Sequence, residues 1–222
     1  MSLAPGDTVA ILAAAGAGIR LGLGPKAFLR LAGVSLLRMA LARLAPYAGR
    51  VRVAVPAGMM QQARREAEGI KATFELIEGG SSRQETLCKL FAGCSESIVV
   101  IDEITRPFTS AEVMQRVVDA VDKTGAVVPA IPSHVPVMLH QDNRLIDAMS
   151  KDQALMPQTP QAYHASVLDV AFTHARKENI EKQTTWQLVQ SAGIPITLVA
   201  GDEQNIKITT PFDWQVAQAI HG

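Results

Sequence analysis

The chain's 222 residues suit one α/β domain with a small projection. Lys+Arg and Asp+Glu number 21 each, so formal net charge is zero; the basic excess of a general nucleic-acid binder is missing, and any anion site must be a local cluster of cations. Hydrophobic residues make up 48% and charged residues 19%, too apolar for a disordered chain, and no apolar run approaches the ~20 residues of a membrane helix.

The start, "MSLAPGDTVAILAAAG", lacks the basic segment of a secretion signal and reads as a first core strand, "TVAILAAA", running into a glycine loop. Cys88 and Cys94 sit six apart with no His or Cys partner at zinc spacing. Reduced thiols in a cytoplasmic protein are the expectation. Next comes "LAAAGAGIRLGLGPKAFL", Leu12 to Leu29. From Ala13 to Gly18 no side chain exceeds a methyl, so backbone N–H groups can approach an anion closely. Arg20 and Lys26 then add charge. The loop is not the dinucleotide fingerprint, because Leu21 stands at the third glycine, and it is not a P-loop, because no G-K-[ST] follows.

Downstream, "SLLRMALARLAPYAG" reads as a helix capped by Ser35. Further strands are "VRVAVP", "TFELIEG" and "SIVVID". "TSAEVMQRVVDAVDKTG" is expected to open on a Thr109-x-x-Glu112 capping box and to close at Gly125. "AVVPAIP" is a strand, "ASVLDVAFTHARKEN" a helix with its cations near the C-terminal end, "PITLVAG" a strand and "DWQVAQAI" a helix. Strands alternating with helices imply a single Rossmann-like α/β domain over 1–222, its mostly parallel sheet flanked by helices. Residues about 133–153 break the rhythm: two short apolar runs flank "QDN", a turn signal. They read as a protruding β-hairpin arm. A lone hairpin is marginal in water, so the arm is expected to serve dimerisation, giving a homodimer.

Five motifs in order carry a family resemblance. Besides the glycine loop they are "EGGSSRQETL", "IDEITRPF", "QTPQAY" and "NIKITTPFD". Together they resemble the 2-C-methyl-D-erythritol 4-phosphate cytidylyltransferase family within the sugar-phosphate nucleotidyltransferases. The resemblance implies transfer of CMP from CTP to a sugar or polyol phosphate, releasing pyrophosphate, in non-mevalonate isoprenoid biosynthesis. It also implies a magnesium ion, or another divalent cation, as cofactor, with no nucleic-acid or membrane partner. Carried onto this sequence, Ala13, Ala14, Ala15, Gly16 and Gly18 cradle the nucleotide, and Gly80, Arg83 and Thr86 match the cytosine and ribose segment. Arg20, Lys26 and Lys207 are the catalytic cations, Arg106, Lys151 and Thr159 face the sugar phosphate, and Glu103 takes the metal position.

The departures lie mostly on the sugar side. The family's His-Asp at the acidic strand end is Asp102-Glu103 here, and alignment on Arg106 points to Glu103; adjacent acids on a strand face opposite ways, so only one can serve. Val135-Pro136 stands where the family's arm carries Asp-Thr, Lys151 replaces an arginine, and Thr184-Thr185 replaces acids. Two alternatives follow: a ribitol-phosphate-type cytidylyltransferase, or a nucleotide-binding homologue with weak catalysis.

Overall fold

The computed structural model describes residues 5–16, 18 and 21–221. In chain order, β1 (Thr8–Ala13) leads through the glycine loop to the short pair β2 (Arg30–Leu31) and β3 (Val34–Ser35), then α1 (Leu36–Leu44). There follow β4 (Arg50–Val55), α2 (Met60–Ala67), β5 (Thr73–Glu78), α3 (Arg83–Phe91), β6 (Ile98–Asp102), α4 (Ala111–Thr124) and β7 (Ala126–Pro132). β8 (Val137–Gln141) and β9 (Arg144–Met149) form the arm. The chain returns as β10 (Leu155–Pro157) and β11 (Gln161–His164), then runs through α5 (Ala165–Lys177), α6 (Thr185–Ser191), β12 (Thr197–Ala200) and α7 (Pro211–His221).

The main sheet has eight strands, ordered β5-β4-β1-β6-β11-β7, with β10 and β12 both pairing to β7. β1, β4, β5 and β6 are parallel, and β12 is parallel to β7. β11 is inserted antiparallel between β6 and β7. The mostly parallel, helix-flanked sheet is therefore as expected. Its parallel strands are apolar on both faces because helices cover both: Leu12, Val53 and Val100 pack toward α1, while Ile11, Val99 and Ile101 pack toward α3 and α5. From β1 the chain steps outward to β4 and β5, then returns to place β6 on the other side of β1. That reversal makes the carboxyl ends of β1 and β6 the crevice where open α/β sheets bind ligands.

Ser35 caps α1, its hydroxyl accepting from the Arg38 N–H at 3.0 Å. α4 ends at Gly125 in the left-handed conformation, as its sequence predicts. Its start is a correction: the cap is Ser110, accepting from the Val113 N–H, and the helix begins at Ala111. Thr109 is turned inward instead, its hydroxyl 3.0 Å from Asn205 Oδ1. Among the described residues no helix is long and apolar enough to cross a membrane.

The arm is a hairpin whose strands pair only with each other. Asp142 and Asn143 both take positive φ, +50° and +60°, as a two-residue hairpin turn of this hand requires. Met138, Leu145 and Ile146 stand more than 60% exposed on it.

Candidate active site

Adjacent residues at a strand end part to opposite faces, and here that separates two acids. Asp102 points to the α1 side and is fully buried. Its Oδ2 accepts from Arg43 Nη2 at 2.6 Å and Nε at 3.2 Å, while its Oδ1 accepts from the Glu103 N–H. Glu103 points to the α3 side. Its Oε1 lies 2.7 Å from Arg83 Nη2 and its Oε2 2.8 Å from Lys207 Nζ. Burial pushes the Glu103 carboxyl up, but the cations of Arg83 and Lys207 outweigh it and hold the group below the usual range. The result is an ionised carboxylate, buried yet gathering two cations from two other elements of the chain.

Each cation arrives by local structure. Arg83 is the first residue of α3, whose cap Ser82 accepts from the Glu85 N–H at 3.1 Å. The turn before it is closed by Thr86, whose hydroxyl accepts from the Gly80 N–H at 2.9 Å and donates to the Ser82 carbonyl at 2.8 Å. Gly79 must lack a side chain, because a Cβ there would collide with the methyl of Ala15. That approach sets the β5–α3 turn directly against the glycine loop. Lys207 comes from the irregular segment after β12. Lys26 lies in a short 3-10 turn, and its amine donates to the Ile208 carbonyl at 2.9 Å, one residue from Lys207. Arg83 from the start of α3, Glu103 from the end of β6 and Lys207 from the segment after β12 thus meet at the carboxyl edge of the sheet, with Lys26 tied to the backbone next to Lys207.

The glycine loop itself divides. The Ala14 N–H donates to the Ala54 carbonyl at 2.8 Å and the residue is buried, so it extends the sheet. Ala13 and Ala15 are half-buried and Gly16 is exposed. Gly18 has φ +72°, and a Cβ there would collide with the Gly24 carbonyl, so the loop folds tightly back at this point. Arg20 lies outside the described residues.

Of the expected sugar-phosphate residues, Arg106 stands close enough for its charge to help hold the Glu103 carboxyl down, whereas Thr159 and Lys151 make no hydrogen bond or ion pair with this cluster among the described residues. The Arg106 guanidinium reaches two backbone carbonyls, donating from Nη1 to Asn205 and from Nη2 to Pro157 at 3.3 Å. Thr159 is buried, and its hydroxyl has no partner among the described residues. Lys151 sits at the base of the arm, where it lines a cavity of about 520 Å³ with Ser133, His134 and Asp152. Sequence reasoning assigned no role to Arg43, Gln158 or Asn205. Arg43 carries no local signal; Gln158 opens the motif "QTPQAY" and Asn205 opens "NIKITTPFD", two residues before Lys207, and those positions were the available clues.

A divalent cation has one carboxylate to meet here. Among the described residues no group of three or more His, Cys, Asp or Glu side chains converges. That set fits magnesium, which commonly takes one or two carboxylates and completes its shell with substrate phosphates and water. It does not fit a structural metal held by protein alone.

With this geometry in place, comparison with known proteins is specific. The family model for IspD, 2-C-methyl-D-erythritol 4-phosphate cytidylyltransferase, matches residues 8–222. The cytidylyltransferase of that name from Thermus thermophilus is 35% identical over 210 residues, 95% of each chain. The one from Deinococcus radiodurans is 35% identical over 215 residues, covering 97% of this chain and 90% of the relative. The Thermus thermophilus crystal structure superposes with a TM-score of 0.80 at 33% identity, covering 96% of this chain and 98% of that one. A 4-diphosphocytidyl-2C-methyl-D-erythritol synthase structure from Anaerococcus prevotii, 20% identical, shares the fold with a TM-score of 0.85 over 98% and 99% of the two chains. This chain belongs to the 2-C-methyl-D-erythritol 4-phosphate cytidylyltransferase family.

Proposed function

We propose that the chain carries out its family's reaction, moving CMP from CTP to 2-C-methyl-D-erythritol 4-phosphate in isoprenoid biosynthesis. One observation carries the reading beyond family membership: a buried carboxylate, Glu103, holds Arg83 and Lys207 at the sheet's switch point, with Lys26 anchored one residue from Lys207. In the reaction an oxygen of the sugar phosphate bonds to the α-phosphorus of CTP, and the bond to the bridging oxygen breaks, releasing pyrophosphate. The nucleophile is already an anion, so no general base is needed. Catalysis is then positioning and neutralisation of charge.

The side chains of Arg83 and Lys207 keep 34% and 43% of their exposure, so both can turn from the carboxylate to an incoming polyphosphate. Lys26 and Lys207 take the charge that develops around the α-phosphate and the leaving group, and the turn at Gly79 and Gly80 brings the base against Ala15 and Gly16. Glu103 would hold the divalent cation. Bound there, the ion would neutralise phosphate oxygens. Thr159 and Lys151 remain candidates for the sugar phosphate, the first with a buried free hydroxyl and the second beside the cavity at the arm's base.

The working form is a homodimer in the cytoplasm. Support comes from the exposed apolar side chains of the arm, which a second copy can cover.

The test is pyrophosphate release from CTP and magnesium over a panel of polyol phosphates. The highest kcat/KM is expected with 2-C-methyl-D-erythritol 4-phosphate. A preference for ribitol phosphate overturns the substrate, and CTP binding without release overturns the enzyme. Lys26→Ala and Lys207→Ala should each lower kcat by about 100-fold, the scale of one lost preorganised electrostatic contact.

A further inference from the structure

Lys207 lies in a segment with no regular structure, between β12 and α7, so something outside that segment must fix it. Its backbone polar groups show what does. Gln158, in the loop between β10 and β11, pairs with Asp202 as a strand would: its Oε1 accepts from the Asp202 N–H at 3.0 Å and its Nε2 donates to the Asp202 carbonyl at 2.7 Å. Asn205 returns the contact, its Nδ2 donating to the Thr159 carbonyl at 2.8 Å. The Thr109 hydroxyl lies 3.0 Å from Asn205 Oδ1 and 3.1 Å from the Arg106 carbonyl, with one proton to give. Arg106 Nη1 donates to the Asn205 carbonyl, and the Ile208 N–H donates to the Thr105 carbonyl at 2.8 Å. Gln158 and Asn205 are 3% and 0% exposed, so water cannot substitute for either partner.

We infer that Asn205 is a positioning residue for Lys207, and that Gln158 supports it. The two buried carboxamides splice the loops after β6, β10 and β12 into one rigid unit. Within that unit Lys207 and Glu103 face each other from segments that never pair as strands. Buried amides suit this task because each both donates and accepts in a fixed plane, and low dielectric makes a mismatch costly. A displacement of the order of 1 Å at a catalytic group can cost about 100-fold in rate. The inference rests on the reading of Lys207 as a catalytic cation.

The experiment is a double-mutant cycle on the full chain, read as kcat, KM for CTP and thermal unfolding. Asn205→Asp keeps the shape and removes the donor to the Thr159 carbonyl. It is expected to lower kcat at least ~10-fold while KM for CTP stays within about threefold. In a Lys207→Ala background the same change should lower kcat by less than about twofold, because the group it positions is gone. A full loss repeated in that background shows a merely structural role and overturns the inference. So does an unchanged kcat in folded Asn205→Asp. Should Asn205→Asp fail to fold, Thr109→Val removes one hydroxyl donor from Asn205 and runs the same cycle, with at least ~3-fold loss expected alone and none in the Lys207→Ala background. Full activity in Lys207→Ala alone overturns the reading beneath the inference, whatever Asn205 does.

Discussion

Around Glu103 the buried polar groups find partners within the chain, carboxylate to guanidinium and amide to carbonyl. Along the arm, Val137, Met138, Leu139, Leu145, Ile146 and Met149 stand 37–72% exposed. The first region is held together within one chain, since its carboxylate and carboxamides are compensated where they lie, the Thr159 hydroxyl and Arg106 Nε excepted. The second is complete only when an outside surface covers it. The difference teaches where sequence drift is tolerated. A matched polar cluster admits only changes that keep its charges, as Glu103 does at the family's aspartate position. An apolar hairpin accepts many residues of similar size, and there Val135-Pro136 and Lys151 depart from the family pattern.

The sharpest way to break this contrast is at the two adjacent acids. Glu103→Gln removes the charge that gathers Arg83 and Lys207, and kcat/KM should fall by about 100-fold or more. Asp102→Asn leaves the site facing away but strips the charge from a buried partner of Arg43. Stability should drop by about 3 kcal/mol while kcat of the folded protein stays within about threefold. Kinetics beside denaturant unfolding measure both. The opposite ranking would mean that the strand end serves the site through Asp102.

On the arm, Met138→Glu combined with Ile146→Glu should weaken self-association by about 100-fold or more, from two apolar side chains each contributing roughly 1.5–3 kcal/mol when buried. Far-UV circular dichroism should not change, because the arm's strands pair only with each other and not with the main sheet. Sedimentation velocity reads the outcome; a wild-type chain already monomeric at working concentration would end the homodimer proposal.

The smallest effect tests the support beneath Arg83. The Glu85 carboxylate accepts from the Ser81 hydroxyl and N–H and pairs with Lys89 at 2.9 Å. These contacts, the Ser81 hydroxyl first, hold its pKa at about 2 against an ordinary 4.5. A depressed carboxylate stabilises the fold above its unfolded pKa and loses that contribution as pH falls through the folded one. The Tm advantage of wild type over Glu85→Gln should therefore be present at pH 6 and fade between pH 4.5 and about 2. The group is exposed, so the advantage should be small and shrink further with salt. An advantage that grows toward low pH would reverse the sign.

Much of the fold was legible because its strands and long helices follow simple periods. β1, β4, β5, β6, β7 and β12 were all readable as apolar runs, and α1, α4, α5 and α7 as amphipathic segments. The antiparallel insertion of β11 was not, since "QAYH" is four residues long and its pairing with β6 is decided by tertiary contact. α2 is nearly all polar, burying only Ala63 and Glu66, so it offers no stripe to read. α3 was concealed by its own motif: "SSRQETL" looks like a binding segment, yet Ser82-x-x-Glu85 also begins a helix. In the site, Lys26, Arg83, Glu103 and Lys207 could be named from motifs. Their mutual arrangement could not, because Gln158 to Asp202 and Asn205 to Thr159 bridge gaps of 44 and 46 residues. Hydrogen bonds of that reach leave no local pattern.

The bond from Lys26 to the Ile208 carbonyl spans 182 positions of the chain. All eight strands of the main sheet lie between those two residues or just before them, so the sheet can largely form before this loop closes. Contacts so distant in sequence carry the greatest closure entropy and are reached late on the folding route. Refolding from denaturant should therefore show two clocks: far-UV circular dichroism recovers first, and turnover returns afterward, when the segment bearing Lys207 locks against the glycine loop.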